Sequence, residues 1–387
     1  MEWKNTKAVT QTKTLVIVLI LIAFTAFYGL LSKFETAPLR RLRIKPVVYG
    51  TSIKQNRNTT TDRKLVLFYT AFFGDMSWGE RVMNNPNAEC PYQCRTTNDK
   101  TLFAKSSAVI FHARDMPSVT TLNDLMRKKP VTQVWVYCSM ENPIYTPPTS
   151  PLNNMFNWTM TYSSKSDVFF PYGQYIASPS PSIADDFTKG KDKLIVWGVS
   201  HCKLLRDQVA QKLSEYLPVN IYGGCASMFP KRHRDGTTCP RSSQQCDELL
   251  RRFKFALSFE NEECPDYVTE KYWLPIIRGN LPIVLGEGIN DDVAIPGSYI
   301  NIKDFPNIKA LSEYIKYLDK NHTAYNEYFQ WKRKYKINSK AWAGCDLCKL
   351  LHTRKSPKVY EHLDHIWNRG MCNRESKKLL DIINAKE

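Results

Sequence analysis

Acidic residues are scarce in this sequence of 387 residues, which has 37 aspartates and glutamates against 54 lysines and arginines. It contains no internal repeat, which excludes solenoid and propeller architectures. It also contains no D-x-D triplet, so it offers no dedicated carboxylate clamp for a metal ion. The remaining pattern, with 24% charged and 43% hydrophobic residues, is that of a globular protein whose length favours two domains.

One long apolar run lies near the N-terminus. Residues 14–31 are uncharged over about 18 positions, which is long enough for a helix to cross a bilayer. A cleaved signal peptide is the alternative, and the basic residues after the run would by themselves place the N-terminus outside. We expect a cytoplasmic tail at 1–13, a transmembrane signal anchor at 14–31 and a stem at 32–62.

Cysteines and glycosylation sequons indicate the compartment. Eleven cysteines are more typical of an oxidising compartment than of the cytosol. Asn58, Asn157 and Asn321 each begin an N-x-T sequon. Together with the anchor, they predict a single-pass type II membrane protein of the endoplasmic reticulum or Golgi, with its long C-terminal part in the lumen.

Two short cysteine pairs are far apart in the chain. Cys90 and Cys94 lie in C-P-Y-Q-C, and Cys345 and Cys348 in C-D-L-C. In a lumen we expect two disulfides that link the first pair to the second, with the connectivity left open. A four-cysteine zinc site is the alternative, because such pairs also form zinc knuckles. The odd total leaves at least one cysteine outside intramolecular disulfides.

The positive charge suggests the kind of partner. Residues 1–45 carry +6 of the net +17, so the rest of the chain still carries +11. A luminal location excludes nucleic acid and leaves acidic glycans, lipid headgroups or a nucleotide-linked substrate. A basic surface that serves only solubility is the alternative.

Short apolar runs alternate with amphipathic stretches after residue 63, which predicts parallel sheets of α/β type. A segment rich in Pro, Ser and Gly at 172–191 divides the runs into two groups. We therefore expect one domain at 63–185, a second at 186–350 and a C-terminal extension at 351–387. The predicted strands lie in the runs 64–73, 107–113, 132–138, 193–200, 219–224, 252–259 and 281–286, and a helix is predicted at 207–217.

The segment 252–286 predicts a strand, a loop, a helix and a second strand. Asp266 stands where a helix N-cap would stand, Pro275 should kink or shorten the helix, and Gly279 should end it. Open α/β sheets bind ligands at such loops, where helix amides can hold a diphosphate and Lys271 can add a positive charge. A capped surface helix whose Glu270 and Lys271 are simply solvated is the alternative.

This segment resembles the signature of the Golgi α1,3/α1,4-fucosyltransferases, F-x-L-x-F-E-N-x-x-x-x-D-Y-x-T-E-K, present at 255–271. The resemblance covers most of residues 64–350. Other matching elements are F-H-A-R-D at 111–115, E-N-P at 141–143, F-N-W-T-M-T-Y at 156–162, P-Y-G at 171–173, the run from Trp197 to Arg206, Y-G-G-C at 222–225 with C-P-R-S at 239–242, and Y-F-Q-W-K at 328–332 with C-D-L-C.

The resemblance implies a GT-B fold, in which two Rossmann-like domains face each other across a cleft and the C-terminal one holds GDP-fucose. It implies inverting transfer of L-fucose from GDP-β-L-fucose, in α1,3 linkage, to a GlcNAc residue of a glycoprotein or glycolipid glycan at the Golgi membrane. Both α1,4 linkage and the identity of the acceptor glycan remain open.

The family's residue roles carry over by position. They make Glu141 the general base and Arg206 and Lys271 the diphosphate-binding cations, with Asn261, Tyr267 and Glu270 on the nucleotide sugar. His112 and Arg114 fall in a family motif and are candidate active-site residues. A buried, hydrogen-bonded His112 and an internal Arg114–Asp115 ion pair are the alternatives.

Because no D-x-D triplet offers a metal clamp, we expect no obligatory cofactor and no metal ligands, with a divalent cation such as Mn²⁺ as an optional stimulant. Homo-oligomerisation is left open.

Two departures from the family pattern suggest a second function. Ser163 and Ser164 follow Tyr162 where the family usually has two arginines, and the segment from Cys202 to Arg206 is shorter than usual. The alternative is therefore a catalytically weakened family member that binds glycans or nucleotide sugar without transfer.

Overall fold

The computed structural model describes residues 63–385, with gaps at 87, 180–185, 231, 233–235, 237, 241, 287, 339–341, 355–357 and 374–375. The predicted cytoplasmic tail, anchor and stem, and with them Asn58, lie outside the described residues. Within the described ranges, no helix is long and apolar enough to cross a membrane.

The first sheet has six strands, and all its neighbouring strands are parallel. Its spatial order is β2-β1-β3-β4-β5-β6. The central strands are continuous apolar runs, as expected where a parallel sheet is covered on both faces. The strands are β1 (Lys64–Phe68), β2 (Cys94–Thr97), β3 (Ala108–His112), β4 (Val134–Ser139), β5 (Trp158–Thr161) and β6 (Val168–Phe169).

The second sheet has five parallel strands in the order β12-β11-β10-β8-β9. The remaining two strands, β7 and β13, form a separate antiparallel pair. These strands are β7 (Tyr175–Ala177), β8 (Lys193–Gly198), β9 (Val219–Tyr222), β10 (Phe253–Leu257), β11 (Leu281–Val284), β12 (Ile300–Asn301) and β13 (Tyr335–Ile337).

Both large sheets reverse their winding direction next to their first strand. In the first sheet the reversal lies between β1 and β3, and in the second between β8 and β10. In doubly wound sheets the loops at the carboxyl ends of these strands diverge and leave a crevice where ligands bind. The fold therefore singles out the loops after β8 and β10.

The helices are α1 (Trp78–Met83), α2 (Val119–Met126), α3 (Leu205–Leu213), α4 (Gln244–Arg251), α5 (Glu270–Arg278), α6 (Ile308–Lys320), α7 (His322–Glu327), α8 (Ala343–Thr353), α9 (Leu363–Ile366) and α10 (Lys377–Asn384). Short 3₁₀ turns occur at Lys100–Lys105, Ala113–Asp115, Pro143–Tyr145, Ser150–Leu152, Ala226–Met228, Ile302–Asp304, Gln330–Arg333 and Arg369–Met371.

The C-terminal helices divide between the two sheets. Leu347 of α8 is buried in the core cluster of Val66 and Phe68, on the first sheet. Leu379 and Ile382 of α10 are buried in the core of the second sheet. From Thr61 to Glu387 the chain forms one compact unit.

The strand predictions are confirmed for all seven apolar runs, each of which coincides with one strand of a large sheet, and only β4 extends past its run, by one residue to Ser139. Strands β2, β5, β6, β7, β12 and β13 were missed, because they are short and lack a long apolar run. The helix expected at 207–217 is α3, which begins at Leu205 and ends at Leu213. Pro275 lies inside α5, which continues to Arg278, and Gly279 ends it with a positive φ of 78° as expected.

All eleven cysteines lie in the described part, and ten of them form disulfides. The two expected pairs are joined as Cys90–Cys345 and Cys94–Cys348. Because these four sulfurs are bonded to one another, they are not the free thiolates that zinc requires. The other disulfides are Cys202–Cys225, Cys239–Cys246 and Cys264–Cys372, and the free Cys138 is buried.

The structure argues against one predicted glycosylation site. Asn157 is 2% exposed. Its amide oxygen accepts from the Trp135 amide at 2.8 Å and from Lys129 Nζ at 2.7 Å, and its Nδ2 donates to the Lys358 carbonyl at 2.8 Å. A glycan on that nitrogen would have to displace these contacts, whereas Asn321 is partly exposed between α6 and α7.

Candidate active site

A cleft of about 230 Å³ lies at the carboxyl edge of the second sheet, where the loops after β8 and β10 diverge. Two predicted donor residues, Arg206 and Asn261, line it. The remaining walls are Lys203, Leu204 and Leu205 at the start of α3, Glu260, Glu262 and Glu263 after β10, Leu285 after β11, and Asn373 and Leu379 from the C-terminal segment.

Thr269, rather than Asp266, caps the helix that follows β10. Its Oγ1 accepts from the Lys271 amide at 3.4 Å, and α5 begins at Glu270. The predicted cap at Asp266 is therefore wrong. Asp266 has a positive φ of 61°, which lies outside the conformation a helix cap requires.

The Asp266 carboxylate instead links the two halves of the molecule. It accepts from the Ser164 amide at 3.0 Å, from Ser164 Oγ at 2.8 Å and from Ser163 Oγ at 3.1 Å, all in the loop after β5. Asn290 Nδ2 donates to its other oxygen at 2.9 Å. The two serines that replace the family's arginines thus hold the signature loop against the first sheet.

A cluster of charged groups surrounds the start of α5. Glu260 accepts from the Thr269 amide at 2.8 Å and from Thr269 Oγ1 at 2.9 and 2.8 Å. Lys271 Nζ lies 3.3 Å from Glu260 and 2.9 Å from Glu270, and donates to Thr269 Oγ1 at 3.0 Å. The sequence placed Glu260 only at the strand end, and no local signal distinguished it as the carboxylate that orients Lys271.

The electrostatics of this cluster keep Lys271 charged. Burial acts to lower the pKa of Lys271, but Glu260 and Glu270 outweigh it and hold that pKa above its usual value. Burial raises the pKa of Glu260 although Lys271 opposes the shift. Burial also acts to raise the pKa of Glu270, yet Lys271 and its hydrogen bonds leave that pKa below the usual value.

Arg206 is held in place by backbone carbonyls. Its Nη1 donates to the Phe259 carbonyl at 2.7 Å and its Nη2 to the His201 carbonyl at 2.8 Å. Burial lowers its pKa, and its Nε is buried without a hydrogen-bond partner among the described residues. The guanidinium therefore braces the end of β10 against the loop after β8, at the wall of the cleft.

Glu141 meets the signature segment from the opposite sheet. It follows β4 by two residues, and Tyr267 Oη donates to its carboxylate at 3.4 Å. Beside it, Asn142 Nδ2 donates to Asn261 Oδ1 at 3.0 Å, and Tyr145 Oη to Glu262 at 3.3 Å. These contacts bring the carboxyl edges of β4 and β10 together.

The aromatic surroundings keep the Tyr267 hydroxyl protonated. Tyr267 is 4% exposed, and its ring lies 4.8 Å from that of Tyr162 and 6.5 Å from that of Tyr172. Burial, followed by the charges of Tyr172, Glu260 and Glu141, raises its pKa well above the usual value. Its hydroxyl therefore remains a donor that orients Glu141. Tyr267 and Glu141 are 126 positions apart in the chain, and the sequence alone gives no signal that they are in contact.

His112 and Arg114 lie at the carboxyl edge of β3 and differ in their environments. His112 is fully buried, with Nδ1 at 2.6 Å from Asp115 Oδ2 and its ring 4.4 Å from that of Phe72. Burial lowers its pKa. Arg114 is exposed, and its guanidinium lies 5.3 Å from the centre of the Phe73 ring. Asp115 thus pairs with His112, which fits the alternative of a buried, hydrogen-bonded histidine and not the alternative of an Arg114–Asp115 ion pair.

Comparison with known proteins matches both halves of the chain to one family. Residues 61–173 match the family model "Fucosyltransferase, N-terminal", and residues 188–367 match "Glycosyltransferase family 10 (fucosyltransferase) C-term". A solved structure titled "Crystal Structure of alpha1,3-Fucosyltransferase" is 17% identical with a TM-score of 0.49, and the alignment covers 80% of this chain and 94% of that one.

Curated relatives match over most of their length. "Alpha-(1,3)-fucosyltransferase fut-5" of Caenorhabditis elegans is 30% identical over 327 residues, which cover 80% of this chain and 84% of that protein. "4-galactosyl-N-acetylglucosaminide 3-alpha-L-fucosyltransferase 9" of Rattus norvegicus is 34% identical over 273 residues, which cover 68% and 72%. The chain belongs to the fucosyltransferases of glycosyltransferase family 10.

Proposed function

We propose that this protein transfers L-fucose from GDP-β-L-fucose, with inversion, in α1,3 linkage to a GlcNAc residue of a glycoprotein or glycolipid glycan. The observation that carries the proposal is the contact between Glu141 and Tyr267, at 3.4 Å, which joins a carboxylate of one sheet to the nucleotide-sugar signature of the other. Two parallel sheets whose carboxyl edges meet in this way support a GT-B arrangement of two Rossmann-like halves.

Glu141 is the proposed general base. An inverting single displacement needs a group that takes the proton of the attacking sugar hydroxyl as the new bond forms. Glu141 is partly exposed at the carboxyl edge of β4, and Tyr267 donates to one of its oxygens. The other oxygen is then available for the acceptor hydroxyl in a fixed orientation, which a surface glutamate would lack.

Lys271, the N-terminus of α5 and Arg206 are the proposed stabilisers of the GDP leaving group. Negative charge grows on the diphosphate as the fucosyl bond breaks, so preorganised cations and amides lower the barrier. Glu260 and Glu270 keep Lys271 charged. A bound diphosphate would replace Glu270 as an ion-pair partner of Lys271. Glu270 would then be free to accept hydrogen bonds from ribose hydroxyls. Asn261 lines the cleft together with Glu260, the other carboxylate paired with Lys271.

We also propose a Golgi membrane location with the catalytic part in the lumen. The apolar run at 14–31, ten disulfide-bonded cysteines and the basic surface support it. GDP-fucose and a GlcNAc-containing glycan are the proposed substrates, and no metal ion is given a role in this mechanism.

An acceptor-array assay with GDP-fucose tests the proposal. Full-length protein is incubated with glycans that present the N-glycan core GlcNAc, LacNAc or LacdiNAc, and products are analysed for linkage. We expect α1,3-fucosylated product on at least one array member. GDP binding without transfer to any of them would instead favour a glycan- or nucleotide-sugar-binding role.

A further inference from the structure

The chain beyond residue 367, where the family match ends, is fastened to the donor signature itself. Cys372 forms a disulfide with Cys264, which lies between Asn261 and Asp266 in the loop after β10. The next residue, Asn373, donates its amide to the Glu263 carbonyl at 2.7 Å. Two successive residues of the C-terminal segment thus hold two successive residues of the signature loop.

The same loop is anchored from the other side by a buried ion pair. Lys303 Nζ lies 2.6 Å from a Glu263 carboxylate oxygen, and the two side chains are 3% and 9% exposed. A buried ion pair of this kind holds its partners in one geometry, because separating them would leave an unpaired charge in the interior. The loop at 262–264 is therefore clamped between Lys303 and the C-terminal segment.

Helix α10 is part of the protein core. Leu379 and Ile382 are 1% and 4% exposed and pack in the cluster that contains Phe259, Leu285 and Ile302. Ser376 Oγ caps the helix by accepting from the Leu379 amide at 3.3 Å. The segment is consequently held in a defined position next to the sheet edge where the donor cleft opens.

Asn373 and Leu379 line the cleft that Arg206, Glu260 and Asn261 also line. Asn373 is exposed there, so its amide group is accessible to a ligand in the cleft. We propose that this C-terminal wall, defined as Cys372, Asn373 and α10, is a part of the donor site that binds the nucleoside diphosphate and positions the signature loop. The inference rests on the proposed function, since it takes this cleft as the GDP site.

The mechanism of the effect is preorganisation. Without the Cys264–Cys372 bond, the loop that carries Asn261 and leads to Tyr267 loses one of its two clamps. Binding of GDP must then also order this loop, and the free-energy cost of that ordering lowers the affinity. Removing the Asn373 side chain takes away an amide from the wall but leaves the backbone bond to Glu263. Both changes should therefore weaken nucleotide binding, whereas acceptor binding on the other sheet should be unaffected.

Three variants of the full-length protein test the C-terminal wall. They are Asn373→Ala, the double variant Cys264→Ala/Cys372→Ala, and the control Cys239→Ala/Cys246→Ala, which removes a disulfide that does not line the cleft. We expect GDP affinity and KM for GDP-fucose to worsen about threefold in the first and about tenfold in the second, with KM for the acceptor unchanged. The control should keep wild-type values.

The outcomes separate the two proposals. Wild-type protein that binds neither GDP nor GDP-fucose overturns the proposed function and this inference with it. If the wild type binds GDP, and Asn373→Ala and Cys264→Ala/Cys372→Ala bind it with the same affinity, the role of the C-terminal wall is overturned while the proposed function stands. If Cys264→Ala/Cys372→Ala fails to fold, as judged by its melting temperature, the GDP affinity of Asn373→Ala alone decides whether the C-terminal wall binds the nucleotide. A lower melting temperature with normal GDP affinity would show a purely structural disulfide.

Discussion

At the residue scale, the site depends on a few side chains whose charge is set by their neighbours. Lys271 keeps its charge through Glu260 and Glu270, and the protonated hydroxyl of Tyr267 donates to Glu141. The family pattern predicted the identities of Glu141, Tyr267 and Lys271. It did not predict that Glu260, which the pattern merely includes, contacts both Thr269 and Lys271.

Glu141→Gln should abolish transfer and leave GDP binding intact. Glutamine has almost the same shape and can still accept from Tyr267, but it cannot take up the proton of the acceptor hydroxyl. We expect turnover to fall roughly 10²- to 10⁴-fold, the usual range for loss of a general base. Steady-state kinetics and GDP titration measure the two effects, and a Gln variant with normal turnover would eliminate Glu141 as the base.

Lys271→Ala should weaken donor binding. The variant loses the cation at the start of α5 and leaves Glu260 and Glu270 without their partner, so GDP affinity should drop about tenfold or more. Lys316→Ala is the matched control, because it removes an exposed helix lysine paired with Glu313 on α6. Equal GDP affinities for the two variants would rule out a role for Lys271 in donor binding.

At the element scale, loops after strands of different sheets hold each other. The loop after β5 donates three hydrogen bonds from Ser163 and Ser164 to Asp266. The sequence predicted the helix end at Gly279, because glycine reaches positive φ without strain. It misplaced the helix start, because a local pattern does not show that Asp266 is used by a distant loop.

Ser163→Ala/Ser164→Ala should destabilise the protein by about 1 kcal/mol at neutral pH, because the buried Asp266 carboxylate keeps its hydrogen bonds from the Ser164 amide and from Asn290. Burial acts to raise the pKa of Asp266, but hydrogen bonds from Asn290, Ser164 and Ser163 outweigh it and lower that pKa. A lowered carboxyl pKa contributes stability that is present above the unfolded pKa of about 4 and is lost as the pH falls through the folded value.

The difference in unfolding free energy between wild type and this double variant should therefore shrink as the pH falls below about 4. Denaturant titrations at neutral and acidic pH measure it, with the exposed Ser150→Ala as control. A difference that stays constant with pH would show that the serines do not stabilise the Asp266 carboxylate.

At the scale of the whole molecule, disulfides and the C-terminal helices join the two sheets into one unit. Cys90–Cys345 and Cys94–Cys348 attach α8 to the first sheet across separations of 255 and 254 residues, and Cys264–Cys372 spans 108. Disulfides that close such long loops restrict the unfolded chain. They also support the proposed location of the catalytic part in an oxidising compartment.

Glycan occupancy should distinguish the two described sequons. We expect a glycan on Asn321 and none on Asn157, because the Asn157 amide is buried and is hydrogen-bonded through both its oxygen and its nitrogen. Glycopeptide mass spectrometry of secretory-pathway protein measures both sites, and Asn321→Gln should abolish the corresponding mobility shift. An occupied Asn157 in folded, active protein would contradict the buried position.

The sequence by itself determined the apolar strands, the boundaries that glycine sets and the family signature, because these depend on periodicity, backbone preference and residue order within short segments. Only the tertiary structure decided that Tyr267 meets Glu141, that two serines hold Asp266, and that Cys372 closes on Cys264. Each of these contacts joins residues more than 100 positions apart. Such pairs are brought together by the path of the chain between the sheets, which leaves no local trace in composition or periodicity.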